Sequence, residues 1–284
     1  MNALKRVAGF AALLSLAGVA PAQVANIAVT SGASFEPGVP PRGSLASIFC
    51  TGLDVSQIAV ADRDRYPLPL TLAGVEVRIG GASAPLFAVA PLGGYQQINL
   101  QVPQEAQFGG PDVEVEVSQQ GRRGTVRAPV ALSSPRDFFR WPGGFAALQH
   151  AVDYAAVTPQ NPARGGEMLL AYLTGLPGTQ PVVPSGQPSP LEPLAIVPQF
   201  SMVASAELYE VVIGSTAVTP LFVGLAPGLA GIYQINFVVP AFARAGNFAL
   251  TLRRTTCTAF FGSCAAGGGV RTLYVSSPAL IPAR

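Results

Sequence analysis

His150 is the only histidine of the chain, and with Asp153 three residues on it is the nearest approach to an acid–base pair. A serine hydrolase needs a serine held against such a base and an orienting acid, yet no Gly-x-Ser-x-Gly elbow accompanies the pair. His150 is therefore expected to make a structural hydrogen bond. Zinc sites draw on several His and Cys ligands, and one histidine cannot assemble a closed one. Asp62-Arg63-Asp64-Arg65 interposes arginines and lacks the calcium-loop pattern, so it reads as a solvated loop. Glu114 and Glu116 alternate with valine and share one strand face, as a glycosidase pair could, but carboxylates on an exposed sheet face need no such role. Gly267-Gly268-Gly269 is followed by no Lys-Ser/Thr and reads as a flexible loop, not a phosphate cradle. No cofactor and no metal are expected.

Of three cysteines, Cys257 and Cys264 lie seven positions apart, and in an exported protein a local disulfide is the default reading. Closing so short a loop would contribute roughly 2.5 kcal/mol in the chain-entropy picture. Cys50 ends the apolar run from Leu45 and reads as a small buried hydrophobe.

The elements that must position these residues are written twice. Tyr95-Gln96-Gln97-Ile98-Asn99-Leu100-Gln101-Val102-Pro103 returns as Tyr233-Gln234-Ile235-Asn236-Phe237-Val238-Val239-Pro240. In each copy Ile98, Leu100 and Val102, or Ile235, Phe237 and Val239, alternate with Gln97, Asn99 and Gln101, or Gln234, Asn236 and Val238. That period of two predicts a strand with one face in a core, closed by a proline that has no N–H to give to a ladder. A second match is independent of the first: with Gly43 set against Gly166, Thr51-Gly52-Leu53 meets Thr174-Gly175-Leu176 without a gap. Hairpins are predicted at Gly80-Gly81 and around Gly121-Arg122-Arg123-Gly124. In the second copy Phe248 to Arg253 and Val270 to Val275 take the places of the last hairpin. Each copy thus offers six or seven short strands with turn signals every 8–12 residues or so, the pattern of a two-sheet antiparallel sandwich. The expected fold is all-β, with two tandem Ig-like sandwiches at residues 23–135 and 163–284. Residues 136–162 read as a connector with room for a short hairpin of its own, whose Phe138, Phe139, Trp141, His150 and Tyr154 are candidates to pack the joint. Residues 177–198, with seven prolines, read as a long surface loop.

Residues 1–22 read as a secretory signal: Lys5 and Arg6, an apolar run from Val7 to Val19, then Ala20-Pro21-Ala22 with cleavage after Ala22. The run is shorter than the roughly 20 residues that span a bilayer, so no stable membrane span is expected after its removal. Loss of Lys5 and Arg6 would leave 15 basic against 15 acidic residues. A balance near zero gives no footprint for nucleic acid or an anionic membrane. Location outside the cytoplasm, secreted or in the cell envelope, follows from the signal.

The order Ala33 to Gly38, Gly43 to Leu53, Ala73 to Val77, Ala84 to Leu86 and Gln97 to Pro103 resembles the Solibacter-type C-terminal domain of secreted acidobacterial proteins. Asp153-Tyr154, Asn161 to Gly165, Thr174 to Leu176 and Gly224 to Gly228 continue the likeness through the second copy. The resemblance implies Ig-like sandwiches akin to the IPT/TIG type and carries over no catalytic residue. The resulting expectation is a non-catalytic exported adhesion, envelope or binding module, taking a protein or a carbohydrate at the cell surface on loops or a sheet edge. The alternative is a secreted, glycosidase-like hydrolase using Glu114, Glu116 or Asp153.

Overall fold

The computed structural model describes residues 23–131, 137–176, 178–198, 205–241, 245–258, 270–276 and 278–284. The signal segment with its cleavage position Ala22 lies outside them. So does Cys264, and with it the expected Cys257–Cys264 disulfide; among the described residues Cys50 is a free, buried cysteine.

The described chain is all-β. The first half holds β1 (Ala25–Ser31), β2 (Leu45–Thr51), β3 (Ala59–Val60), β4 (Thr71–Leu72), β5 (Val75–Ile79), β6 (Ala82–Ser83), β7 (Leu86–Leu92), β8 (Tyr95–Gln101), β9 (Asp112–Gln119) and β10 (Arg122–Pro129). One sheet runs β1-β2-β8-β7-β3 and the other β10-β9-β5-β4, with β6 beside β5. Between them lies a core that includes Ile48, Val77, Ile98, Leu100 and Val115. The second half holds β11 (Asp137–Phe138), β12 (Leu148–His150), β13 (Met168–Thr174), β14 (Ser205–Ile213), β15 (Thr216–Val218), β16 (Phe222–Leu225), β17 (Tyr233–Val238), β18 (Gly246–Thr258), β19 (Val270–Val275) and β20 (Ala279–Ala283). Its sheets run β11-β13-β17-β16, with β12 on β13, and β15-β14-β18-β19, with β20 on β18. A second core between them includes Leu169, Tyr209, Phe237, Leu252 and Ile281.

The repeated strand is central in both halves, as its alternation demands. Ile98 and Leu100 face Ile48 and Ala46 of β2, and Ile235 and Phe237 face Ala171 and Leu169 of β13. All four residues of the repeated strand are fully buried.

Three details differ from the sequence reading. The tip of the β9–β10 hairpin is Gln120-Gly121, with φ of 47° and 83°, so Arg122 and Arg123 already pair with Gln119 and Ser118. Two successive positive φ values give the turn whose twist suits adjoining strands, and glycine meets the demand cheaply. β18 is 13 residues long. Its far end, Arg253 to Thr258, pairs with β19, while Gly246 to Leu250 pair with the C-terminal β20, which lacks a plain alternating signal. The stretch read as a connector contributes β11 and β12, both paired to β13.

The proline-rich stretch is a strap, not only a surface loop. Val183, Ala195 and Val197 enter the second core. Ser185 and Gly186 cross to the first half: Gly186 N–H donates to Gln101 Oε1 at 2.7 Å, and Leu68 N–H donates to Gly186 O at 2.8 Å. Ser185 Oγ donates to Glu105 Oε2 and accepts from Gln104 N–H, both at 2.8 Å. Elsewhere in the joint Leu45 N–H donates to Thr174 Oγ1 at 2.8 Å, and Ser34 Oγ donates to the Asp137 carboxylate. At Gly231 a Cβ would lie 2.9 Å from the Leu45 side chain and 3.0 Å from that of Gln101, so the Gly231 backbone meets first-half side chains too closely for a side chain of its own.

Candidate functional site

The alternation that buries Ile98 and Leu100 turns Gln97 and Asn99 to the opposite, outer face of their sheet, and it does the same for Gln234 and Asn236. The two pairs are bonded alike. Gln97 Nε2 donates to Asn99 Oδ1 at 2.7 Å, and Gln234 Nε2 donates to Asn236 Oδ1 at 2.8 Å. Asn99 Oδ1 also accepts from Ser47 Oγ at 2.9 Å. Each carboxamide has two donors and an acceptor, so these bonds leave each ladder with capacity of both kinds for a ligand.

In the second half the ladder floors a cleft of about 370 Å³, walled by Tyr154, Met168, Leu170, Tyr172 and Leu229. Tyr172 and Leu229 also belong to a groove of about 430 Å³ at the joint, where Phe139, Trp141 and Ile232 are joined by Leu45 of the first half. Both volumes fall in the range of roughly 300–1,000 Å³ usual for ligand sites. Trp141 is half exposed there. Tyr172 Oη donates to Gln149 Oε1 at 2.7 Å. Burial first, and Tyr154 beside it second, raise the Tyr172 phenol above its usual range, so it remains a neutral donor.

The residues singled out in the sequence are placed as follows. Phe138 is fully buried in the second core, Phe139 and Trp141 line the groove, and Tyr154 stands 65% exposed at the rim of the cleft. His150 is buried. Its Nδ1 lies 3.1 Å from each Glu167 oxygen and its Nε2 lies 3.3 Å from Asn161 O, so both nitrogens face acceptors and neither faces the cleft's solvent. Asp153 Oδ1 accepts from Ala155 N–H at 2.9 Å, and Tyr154 N–H donates to His150 O at 2.9 Å. The candidate acid–base pair thus builds the turn that presents Tyr154. Glu114 and Glu116 sit opposite Arg127 and Thr125 on β10, with Glu116 also opposite Arg78 on β5 and 3.5 Å from Arg123. Asp62 Oδ1 accepts from Asp64 N–H in an exposed turn. Burial raises the Cys50 thiol to about 11, which keeps it a neutral thiol in the first core.

Glu167 was missed by motif reasoning because its partner is 17 positions away and only the pairing of β12 with β13 brings them together. Its carboxylate also accepts from Arg164 N–H at 2.7 Å. Glu167→Ala should cost about 1–3 kcal/mol, since the buried imidazole and an amide lose their acceptor. Glu167→Gln should recover part of that loss in chemical denaturation. Equal stability of Glu167→Ala and wild type would show that the pair holds nothing.

No protein-family profile matches the chain, and no curated protein does. Among solved structures it is similar to an endo-fucoidan hydrolase of glycoside hydrolase family 107, at 11% identity over 93% of this chain and 44% of that one, with a TM-score of 0.15. The chain spans under half the length of that enzyme, and a likeness at this level carries no argument about fold or activity. The reading of the site rests on its own geometry.

Proposed function

We propose that the chain is an exported, non-catalytic binding module of two tandem Ig-like, IPT/TIG-like sandwiches, and that it holds a carbohydrate on the outer sheet face of the second half. One observation carries this: a bonded Gln234–Asn236 ladder lies between exposed or half-buried aromatic rings in a cleft that shares Tyr172 and Leu229 with the Trp141 groove. Planar carboxamides match vicinal hydroxyls with a donor and an acceptor, and an aromatic face takes the apolar C–H face of a sugar ring. A protein partner would be expected to use a broader apolar surface with a polar rim. The hydrolase alternative has no observation in its favour, because His150 is enclosed and the strand carboxylates face arginines.

The test is retention on immobilised polysaccharides and affinity for soluble ones. Trp141→Ala or Tyr172→Ala should weaken binding about thirtyfold, the effect of losing an aromatic anchor worth about 2 kcal/mol. Absence of binding to every polysaccharide tried, with a protein recovered as partner, would overturn the carbohydrate reading. Turnover of a bound glycan would overturn the non-catalytic one.

A further inference from the structure

The first half carries aromatic side chains on the equivalent face, and in the alignment of Gly43 with Gly166 Phe49 takes the place of Tyr172, which stands opposite Gln234. Phe49 stands opposite Gln97 across β2 and β8. It is the middle of three rings, with the Phe35 centroid 6.1 Å away on one side and that of Tyr95 5.9 Å away on the other. Phe35 is 53% and Tyr95 46% exposed, so two of the three rings offer much of their surface to solvent instead of to the core. A hollow of about 570 Å³ adjoins Phe49 and Tyr95 and is edged by Asn26 and Thr51.

The backbone holds this arrangement against its own preference. Phe35 has φ of 60° and Asn26 has φ of 53°. A bulky side chain in that region is an outlier that persists only when its surroundings impose it. Here Phe35 N–H donates to Ser31 O at 3.1 Å, while Ser31 Oγ accepts from the N–H groups of Ala33 and Ser34. Among the described residues Tyr154, at the rim of the second-half cleft, is the other aromatic residue at positive φ, 59°. Both halves therefore use a strained position to present an exposed ring beside a carboxamide ladder.

The two places lie on one line. Leu45 is four residues from Phe49 along β2, hence on the same face and about 13 Å away at the strand rise. Leu45 lines the joint groove together with Trp141. Midway between them the buried Ser47 donates its Oγ–H to Asn99 Oδ1 at 2.9 Å, so the polar surface of the interval is that of the part-exposed Gln97 and Asn99 carboxamides. Among the described residues no acidic or basic side chain lines the hollow, the groove or the cleft. A charged ligand would leave water there without a counter-charge.

We propose that one uncharged glycan chain lies along this track and is gripped by both halves, with Phe35, Phe49 and Tyr95 forming a second subsite about 13 Å along β2 from the Leu45 end of the Trp141 groove. This rests on the reading of the second-half cleft as a carbohydrate site. The test uses xyloglucan and mixed-linkage β-glucan, each as polymer and as oligosaccharides of two to three sugars, with alginate as the charged control. A Phe35→Ala/Tyr95→Ala double variant, whose exposed rings can be lost without emptying the core, should bind the polymers at least tenfold more weakly and the short oligosaccharides as wild type does. Trp141→Ala should weaken both. Unchanged thermal unfolding of the double variant checks that the fold is intact, and Phe35→Ser/Tyr95→Gln repeats the test if it is not. Polymer binding untouched by the double variant but weakened by Trp141→Ala overturns the second subsite and leaves the cleft reading standing. An equal loss for both ligand lengths in the double variant would place the whole site on the first half and overturn the track. Failure of every uncharged probe, or equal binding of alginate, would overturn both.

Discussion

Gln101→Leu is expected to lower stability by about 2–6 kcal/mol and to loosen the joint between the halves. The side chain is 4% exposed. Its Oε1 accepts from Gly186 N–H at 2.7 Å and its Nε2 donates to Gly43 O at 3.1 Å. Leucine fills nearly the same volume, so packing changes little while a buried donor and a buried acceptor each lose their partner, at about 1–3 kcal/mol apiece. Gly186 sits at φ of 75°, where a Cβ would lie 3.2 Å from Pro85 and 3.3 Å from the Leu68 nitrogen, so the strap backbone packs close against the first half at this point. Chemical denaturation gives the loss, and limited proteolysis within the strap reads the loosening. A variant as stable and as protease-resistant as wild type would show that the strap does not hold the halves together.

The second large effect is expected from Phe237→Ala. Phe237 is fully buried opposite Leu169 in the second core. Truncation of such a side chain removes its transfer free energy and leaves a cavity, together about 3–5 kcal/mol. At about 2–4 °C per kcal/mol for a chain of this size class, the thermal midpoint should fall by roughly 6–20 °C. The manner of the fall tests the joint. With the strap and the Leu45–Thr174 contact intact, the first half loses its docking partner when the second unfolds, and one transition is expected at the lower temperature. In a Gln101→Leu/Phe237→Ala double variant the first half should keep a separate, higher transition. Two separated transitions already in Phe237→Ala alone would mean that the halves are thermodynamically independent.

Much of this architecture is legible in particular residues. Ile98, Leu100, Ile235 and Phe237 announce a central strand because only one face of an alternating segment can be apolar if the other meets water or polar neighbours. The gapless match of Thr51-Gly52-Leu53 with Thr174-Gly175-Leu176 marks the end of β2 and of β13. The pairing of Gly246 to Leu250 with the last strand was not legible, because Ala279-Leu280-Ile281-Pro282-Ala283 lacks alternation and carries a proline. The strap reads as surface in the sequence because prolines exclude a central strand, and that argument says nothing of whether Val183, Ala195 and Val197 find an apolar wall to cover.

The candidate site divides in the same way. The sequence by itself determined the strands, the duplication and the sides to which Gln97, Asn99, Gln234 and Asn236 point, since those follow from local backbone periodicity. Only the tertiary structure decided that Gln101 is a buried clasp while Gln97, on the same face, is part of an outer ladder. The difference arises because the second half covers one end of the sheet and leaves the other uncovered. The same holds for His150 and Glu167, for Phe49 between Phe35 and Tyr95, and for Leu45 beside Trp141. These neighbours come from separate strands or turns, and contact between them depends on sheet pairing and docking, which no local pattern encodes.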